Sequence, residues 1–392
     1  MLEVICFVIF VILLFAMCIT VVAEGKTSSK TSGMYLIALF ATLAVFSFFF
    51  EPKEFIRWDL IEHFYLLDEM REGGIKYVVF ESHYKDLYVF NFFAYFISTL
   101  PENLKNLLTT IPLVIDFAIV GYIYRKMFKT YLPETDGKVR ILAVVMWLCT
   151  FGVKLAISGI RCSFAVSLVA LAIYLLLTKE KRKVLSIIIS VLLCVVAAFV
   201  HNFALVVILT WLASKLRKPV LTMLIALGIG FAIEPISRFM INNVNSGYLR
   251  FSFSRILQTM EDRSFTSAIK NFDLALLLVY FCFIALSIYL FVISLRAKEK
   301  YKDEDGYKKT IANFTATVGA VAIGLSFNYL YLERFMYLVS YAFLMIIPIH
   351  NEKKEMSWEN IIVLPVTFFM FMFNDIYTFM VNFAENYFFA LG

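Results

Sequence analysis

Polar side chains interrupt three apolar segments of this 392-residue chain, and their types suit chemistry on an anion. Arg161 stands between two apolar runs in LAISGIRCSFAVSLVALAIYLLL, His201 and Asn202 interrupt AAFVHNFALVVIL, and Glu333 and Arg334 interrupt NYLYLERFMYLVSYAF. A guanidinium fork is suited to binding phosphate or carboxylate, and an imidazole can carry a proton. If the three interruptions lie together, they predict one site for an anionic group.

A second set of reactive types lies in the segment PKEFIRWDLIEHFYLLDEMREGG. Its apolar residues recur with helical spacing, and Gly73 and Gly74 predict its end. The stripe consists of Leu60, Ile61, Phe64 and Leu67. Asp59, Glu62 and His63 are spaced i, i+3, i+4, which predicts a polar face on which a carboxylate and an imidazole could share a proton. An ordinary ion pair on a solvated face is the alternative.

The elements that must position these residues are membrane helices. The chain is 61% hydrophobic and 17% charged, with a mean hydropathy of +0.81, which predicts an all-α, polytopic membrane protein with no soluble domain. Candidate spans are 2–22, 34–50, 107–124, 139–156, 162–178, 184–200, 203–214, 219–236, 273–295, 310–331, 335–349 and 358–381. We therefore expect about twelve crossings, with 86–100 re-entrant or interfacial.

The basic residues predict an orientation. If the N-terminus lies outside, every lysine-rich loop falls on the inner side, as the positive-inside rule requires, and the C-terminus also lies outside. These loops contain Lys26 and Lys30, 125–140, KEKRK at 179–183, SKLRK at 214–218, 296–309 and Lys353 and Lys354. We expect a single transmembrane domain over 1–392, with outer-face loops 51–106 and 237–272.

The same orientation puts six polar residues on the outer face, at the mouths of helices: Asp59, His63, Arg161, His201, Asn202 and Arg334. Arginine outnumbers lysine there, against the topological trend. The outer arginines are Arg57, Arg71, Arg161, Arg238, Arg250, Arg255, Arg263 and Arg334. This pattern predicts an anionic ligand on the outer face. For any single arginine, the alternative is snorkelling to lipid headgroups, and His201 could cap the end of the preceding helix through a carbonyl.

Three carboxylates fall inside predicted spans, namely Asp116, Glu234 and Asp375. Because charge in hydrocarbon is costly, we expect each to face a cavity or the bundle interior. The six cysteines show no metal-type pairing, so we expect neither a disulfide framework nor a metal site. No nucleotide-binding loop is present, which argues against nucleotide hydrolysis as an energy source.

At these residues the chain resembles the EpsG-type polysaccharide polymerases, relatives of the O-antigen polymerase Wzy. WDLIEHFYLL resembles the family's loop aspartate and its aromatic amphipathic stretch. GIRCSFAVSL resembles its helix-opening arginine, VHNFALVV its histidine, and ERFMYLVSYAFLMIIP its late arginine and aromatic helix. The chain departs from the family at Cys162, where Gln is frequent, and at Arg57 and Trp58, where Gly-Thr is frequent.

The resemblance implies a metal-independent, cofactor-free glycosyltransferase of GT-C-like fold in the bacterial cytoplasmic (inner) membrane. Such an enzyme moves a glycan from undecaprenyl diphosphate to another lipid-linked repeat unit and so builds O-antigen, capsule or exopolysaccharide. The expected partners are the lipid-linked oligosaccharide, membrane lipid, a chain-length regulator and a flippase, with no nucleic acid.

The resemblance also implies residue roles. The candidate base is Asp59 or His63, with His201 less favoured. The candidate substrate-binding residues are Arg161, Arg334, Arg250, Arg57 and Asn202. Two other functions stay open: a flippase or transporter for the same lipid-linked oligosaccharide, and a membrane acyltransferase acting on polysaccharide through DLIEH. The first is disfavoured because no internal repeat is visible and the conspicuous cations lie at one face.

Overall fold

A computed structural model describes residues 2–23, 25–53, 59–82, 84, 86–178, 183–244, 250, 253–254, 257, 274–304, 306–352 and 358–388. Helices account for 88% of the structure, and the described residues contain no strand. This confirms an all-α polytopic membrane protein. Arg57 and most of the predicted outer loop 237–272 lie outside the described residues.

The described residues form sixteen α-helices in chain order. They are α1 (Leu2–Val22), α2 (Ser29–Phe49), α3 (Asp59–Lys76), α4 (Tyr88–Ser98), α5 (Leu107–Lys126), α6 (Gly137–Phe151), α7 (Val153–Ser158), α8 (Ile160–Leu177), α9 (Lys183–Val200), α10 (Phe203–Ser214), α11 (Pro219–Asn243), α12 (Leu274–Lys300), α13 (Tyr307–Gly324), α14 (Tyr329–His350), α15 (Trp358–Phe371) and α16 (Tyr377–Phe388). A five-residue π-helical segment, Met372–Ile376, joins the last two.

Side-chain caps set where several helices begin. The Ser28 hydroxyl accepts a hydrogen bond from the Thr31 amide at the start of α2 (3.1 Å), and the Asp136 carboxylate accepts one from the Lys138 amide at the start of α6 (2.8 Å). The Asn328 side chain accepts one from the Tyr331 amide at 3.2 Å and begins α14. Each cap satisfies an amide that has no partner within its helix.

Eight helical segments in the described part of the chain are long and apolar enough to cross a membrane, and α11 makes a ninth if its two halves, which meet at 58°, form one span. The eight are Leu2–Val22, Ser29–Phe49, Glu102–Tyr131, Ile160–Leu177, Leu277–Lys300, Tyr307–Phe327, Tyr329–His350 and Ile362–Phe383. The predicted total of about twelve is not confirmed.

The difference has a physical cause. The span predicted at 139–156 breaks at Gly152, whose φ of 72° ends α6 after fifteen residues. The spans predicted at 184–200 and 203–214 form α9 and α10, which are short apolar helices separated at His201 and Asn202. The segment expected to be re-entrant or interfacial contains α4, whose 11 residues extend about 16 Å and cannot cross a bilayer.

Several of the predicted lysine-rich loops, among the described residues, meet at one end of the bundle. The Lys138 ammonium donates to the Ala23 carbonyl, and the Lys298 ammonium donates to the Arg217 carbonyl at 2.8 Å. Gly137 packs so closely on Thr27 that a Cβ there would lie 2.4 Å from the Thr27 carbonyl oxygen. We call this the lysine end; the residues singled out for chemistry lie at the opposite end.

Helix α3 differs from its prediction in the face it buries. Its buried residues are Leu60, His63, Leu66, Leu67 and Met70, so His63 belongs to the apolar stripe. Of the three residues predicted on the polar face, Asp59 and Glu62 are exposed. The placement of His63 on the polar face was therefore wrong, because α4 and the turn before it cover that side. Gly74, with φ 60° and ψ −155°, interrupts the helix near its predicted end.

Two of the three intramembrane carboxylates lie inside the bundle as expected. Asp116 on α5 and Asp375 on the π-helical segment are both fully buried. Glu234 contradicts the expectation: its side chain is 52% exposed and pairs with Arg238 at 3.1 Å. It lies beside Pro235, where α11 bends, and this bend turns the pair away from the bundle.

Candidate functional site

Arg161 is positioned by a break between two helices. It lies in the first turn of α8, directly after the short helix α7 and Gly159. The buried Asp375 carboxylate accepts a hydrogen bond from the Lys154 amide at 2.5 Å and so caps the start of α7. At the other end of α7, the Ser158 hydroxyl accepts one from the Asp59 amide at 3.0 Å. The π-helical segment and α3 therefore hold the two ends of α7, the short helix that leads directly to Arg161.

Aromatic rings surround the Arg161 guanidinium. Its Cζ lies 3.9 Å from the ring centroid of Tyr84 and 5.3 Å from that of Phe90. The His63 ring packs against both, at centroid distances of 5.9 Å and 5.4 Å. These distances are those of cation–π contacts, which are stronger where water is excluded.

Arg334 and His201 approach the same place from other helices. Arg334 lies in the second turn of α14, and His201 lies in the turn between α9 and α10. Arg161 is within electrostatic range of Arg334 and Asp59, and His201 is within range of Arg161, Arg334 and His63. We call His63, Arg161, His201 and Arg334 the Arg–His cluster. It joins residues from α3, α8, the α9–α10 turn and α14.

The guanidinium groups of the cluster have unused donors. Neither Arg161 nor Arg334 donates a hydrogen bond to, or forms an ion pair with, any residue in the part of the chain that the structure describes. Both side chains are only partly buried. Like charges placed together without acidic partners repel each other, so the arrangement favours an anion that both can bind.

His63 is held neutral. It is 2% exposed, and its Nδ1 has no hydrogen-bond partner among the described residues. Burial, with a smaller contribution from the Arg161 charge, lowers the pKa of His63 to about 3. The imidazole therefore stays uncharged at neutral pH, and its expected proton sharing with Asp59 finds no support in its environment.

This pKa predicts a stability change with pH. Between the unfolded pKa of 6.5 and the folded pKa of about 3, the unfolded chain binds a proton at this histidine that the folded protein excludes. Stability is thus complete above pH 6.5 and falls as pH is lowered towards 3. We expect the wild type to lose about 2 kcal/mol more than His63→Phe between pH 7 and pH 5, as measured by unfolding in detergent. Equal losses in the two proteins would contradict this.

His201 makes a different bond from the one expected. Its Nδ1 accepts a hydrogen bond from the Phe203 amide at 3.0 Å, so it caps the start of α10 and not the end of α9. The accepting nitrogen carries no proton, which assigns the ring proton to Nε2. Burial and then the charges of Arg161 and Arg334 hold the pKa of His201 well below its usual range. The side chain offers the cluster an N–H donor.

The other predicted site residues divide into two groups. Asp59 is exposed at the first position of α3, and Asn202 follows His201 in the same turn. Arg250 is exposed and has no partner among the described side chains, so the structure does not bring it into the cluster. Sequence reasoning missed Tyr84, Phe90 and Ser158, because no local pattern distinguishes them from other residues near a membrane surface.

The described residues include no group of three or more His, Cys, Asp or Glu side chains that could hold a metal ion. No curated protein and no solved structure is detectably similar to the chain. A family model described as the EpsG family matches residues 61–390, a stretch that contains the whole Arg–His cluster. This match confirms the resemblance drawn from WDLIEHFYLL, GIRCSFAVSL, VHNFALVV and ERFMYLVSYAFLMIIP, and the chain belongs to the EpsG family.

Proposed function

We propose that the protein is a glycosyltransferase that joins undecaprenyl-diphosphate-linked oligosaccharide repeat units at the outer face of the bacterial cytoplasmic membrane. Membership of the EpsG family indicates a membrane protein of the polysaccharide-polymerase type. This proposal includes the lipid-linked donor and the outer leaflet as the place of reaction. It also includes a GT-C-like fold with more crossings than the eight or nine described.

One observation carries the proposal: Arg161 and Arg334 lie within electrostatic range of each other, and neither forms an ion pair with a described residue. Guanidinium forks match the oxygens of a phosphate, and two of them suit a diphosphate. The cluster lies at the mouths of helices, and α9, which ends beside His201, exposes many apolar side chains along its length. A lipid carrier can therefore reach the cluster with its tail in the bilayer. A flippase would require charges along a path to the lysine end.

The proposed reaction is displacement at the anomeric carbon. The acceptor hydroxyl oxygen forms a bond to that carbon, the bond from the carbon to the diphosphate oxygen breaks, and undecaprenyl diphosphate leaves with the electron pair. Arg161, Arg334 and the Nε2–H of His201 stabilise the charge that develops on the leaving oxygen. A positioned donor of this kind contributes roughly 3 kcal/mol, by analogy with an oxyanion hole.

Asp59 is the proposed base that takes the acceptor hydroxyl proton. His63, with a pKa of about 3, is a weak proton acceptor at neutral pH. The Nδ1 of His201 already accepts a hydrogen bond, and its Nε2 carries the proton. Asp59 is exposed beside the cluster, and its amide is held by Ser158, so its carboxylate can meet the glycan hydroxyl of a lipid-linked acceptor on the aqueous side.

The donor role of His201 predicts an unusual order of activity among its variants. Asn at this position keeps an oxygen that can accept from the amide two residues on, and it keeps an N–H donor; Asp keeps the acceptor but has no donor. We expect His201→Asn to retain most activity and His201→Asp to lose about 100-fold in turnover. If His201 is instead the base, Asp can replace it and Asn cannot, so the opposite order would refute the donor role.

The proposal places the lysine end in the cytoplasm and both termini outside. In a background without the six native cysteines, which are all free, we expect Glu102→Cys to react with an impermeant maleimide added to intact cells. We expect Lys302→Cys, exposed at the lysine end, to react only after permeabilisation. The reverse pattern would overturn this orientation and with it the outer-face reaction.

The direct test supplies purified protein in nanodiscs with undecaprenyl-diphosphate-linked repeat units. The proposal predicts products that contain two or more joined repeats and release of undecaprenyl diphosphate. Movement of intact substrate between leaflets without joining would favour the flippase, and transfer of an acyl group to the glycan would favour the acyltransferase.

A further inference from the structure

Nothing except aromatic rings orients the Arg161 guanidinium among the described residues. The group donates no hydrogen bond to them, although it is partly buried at the start of α8. The Tyr84 ring lies 3.9 Å from its Cζ, closer than Phe90 at 5.3 Å. A guanidinium stacked on a ring keeps its N–H edge free in its own plane. Tyr84 therefore decides where that edge points.

The Tyr84 ring is itself held from its edges. Phe90 meets it nearly perpendicularly, with an interplanar angle of 86° at 5.8 Å, and His63 meets it at 62° and 5.9 Å. Both residues are buried, at 3% and 2% exposed. The Tyr84 hydroxyl forms no hydrogen bond with a described residue, so the ring, and not the hydroxyl, makes the contact with Arg161.

A hydrogen-bond chain holds the backbone of Tyr84. The Tyr84 amide donates to the Ser82 hydroxyl at 3.2 Å, and that hydroxyl donates to the Asn91 side-chain oxygen at 2.9 Å. The Asn91 amide group in turn donates to the Val78 carbonyl at 2.6 Å. Ser82 and Asn91 are 1% and 2% exposed. Buried bonds of this kind fix one arrangement, because each unmade bond is costly.

We infer that Tyr84 is a positioning residue that holds the Arg161 fork for a lipid-linked diphosphate, and that Ser82 and Asn91 hold Tyr84 in turn. This inference rests on the proposed function and extends it to residues outside the Arg–His cluster. Without the ring, the guanidinium keeps its charge but samples many orientations. Binding of the anion must then order the guanidinium again, and this entropic cost lowers the affinity for the anion.

The test measures binding of undecaprenyl diphosphate to the full chain in nanodiscs. We expect Tyr84→Leu to weaken binding by about tenfold or more, since a desolvated cation–π contact is of that size, and Tyr84→Phe to bind like the wild type. Asn91→Leu should resemble Tyr84→Leu, because it removes two of the three bonds in this hydrogen-bond chain, the one from Ser82 and the one to Val78. Wild-type affinity in Tyr84→Leu would overturn the inference.

A double-mutant cycle separates positioning from a general effect on folding. In an Arg161→Ala background there is no fork to orient, so Tyr84→Leu should weaken binding no further. An equal loss in both backgrounds would show a structural role and refute the inference. Failure of the proposed function looks different: the wild type would neither bind the lipid diphosphate nor join repeat units. If the wild type does both while Tyr84→Leu binds normally, only the positioning role fails.

Discussion

Arg161→Lys is expected to lower polymerisation by about 100-fold or more, while the protein still inserts and folds. Lysine keeps the positive charge but lacks the planar fork, and it cannot stack on the Tyr84 ring as a guanidinium does at 3.9 Å. The fork forms no hydrogen bond or ion pair with a described residue, so its loss acts on the ligand. The length distribution of polymer on gels, at matched expression, measures the effect.

A matched control is available on the same chain. Arg238 forms an i, i+4 pair with Glu234 and is 56% exposed, so Arg238→Lys should leave polymerisation close to the wild-type level. If Arg161 only anchors α8 by snorkelling to headgroups, Arg161→Lys should behave like this control. Equal polymer lengths in the two variants would remove Arg161 from the proposed diphosphate site.

Asp59→Asn is expected to depress turnover by about 100-fold or more with little change in lipid-diphosphate binding. The amide keeps the size of the side chain and leaves the backbone bond to Ser158 intact, but it cannot take a proton. The fall should therefore be in kcat at saturating donor, measured as joined repeats per unit time.

Two further variants show whether a loss of turnover in Asp59→Asn is specific to that carboxylate. Glu62→Gln changes an exposed carboxylate in the same first turn of α3 and should have little effect. His63→Ala removes a buried ring that packs on Tyr84 and Phe90, so it should weaken donor binding more than it lowers kcat. If His63→Ala instead lowers kcat more than Asp59→Asn does, His63 is the base. Near-normal polymerisation in both Asp59→Asn and His63→Ala would show that α3 takes no part in the chemistry.

Much of the architecture could be predicted because its signals are local. An apolar run needs a helix to satisfy its backbone in lipid, so α1, α5 and α8 begin and end close to the predicted 2–22, 107–124 and 162–178. The positive-inside rule assigned the basic loops to one side, and the structure gathers several of them at the lysine end. Arg161, His201 and Arg334 could also be recognised from local sequence, because each interrupts an apolar run.

The span count could not be predicted to the same degree, because hydropathy does not register a break in direction. Gly152 ends α6 with a positive φ, and α9 and α10 separate at His201 and Asn202. The break at Gly152 is accompanied by a contact made far along the chain, the bond from the Lys154 amide to Asp375. Glu234 was misplaced for a related reason, because the bend of α11 turns it outward.

The sequence by itself determined a membrane-spanning helical protein of the EpsG family, with arginines and histidines at helix mouths, because residue type and short spacing are enough for each of these. Only the tertiary structure decided what those residues can do. It buried His63 against Arg161 and so made it neutral, engaged the Nδ1 of His201 with the Phe203 amide, and stacked Tyr84 on Arg161. Protonation and orientation depend on burial and on neighbours from other helices, and no local pattern in the chain encodes those.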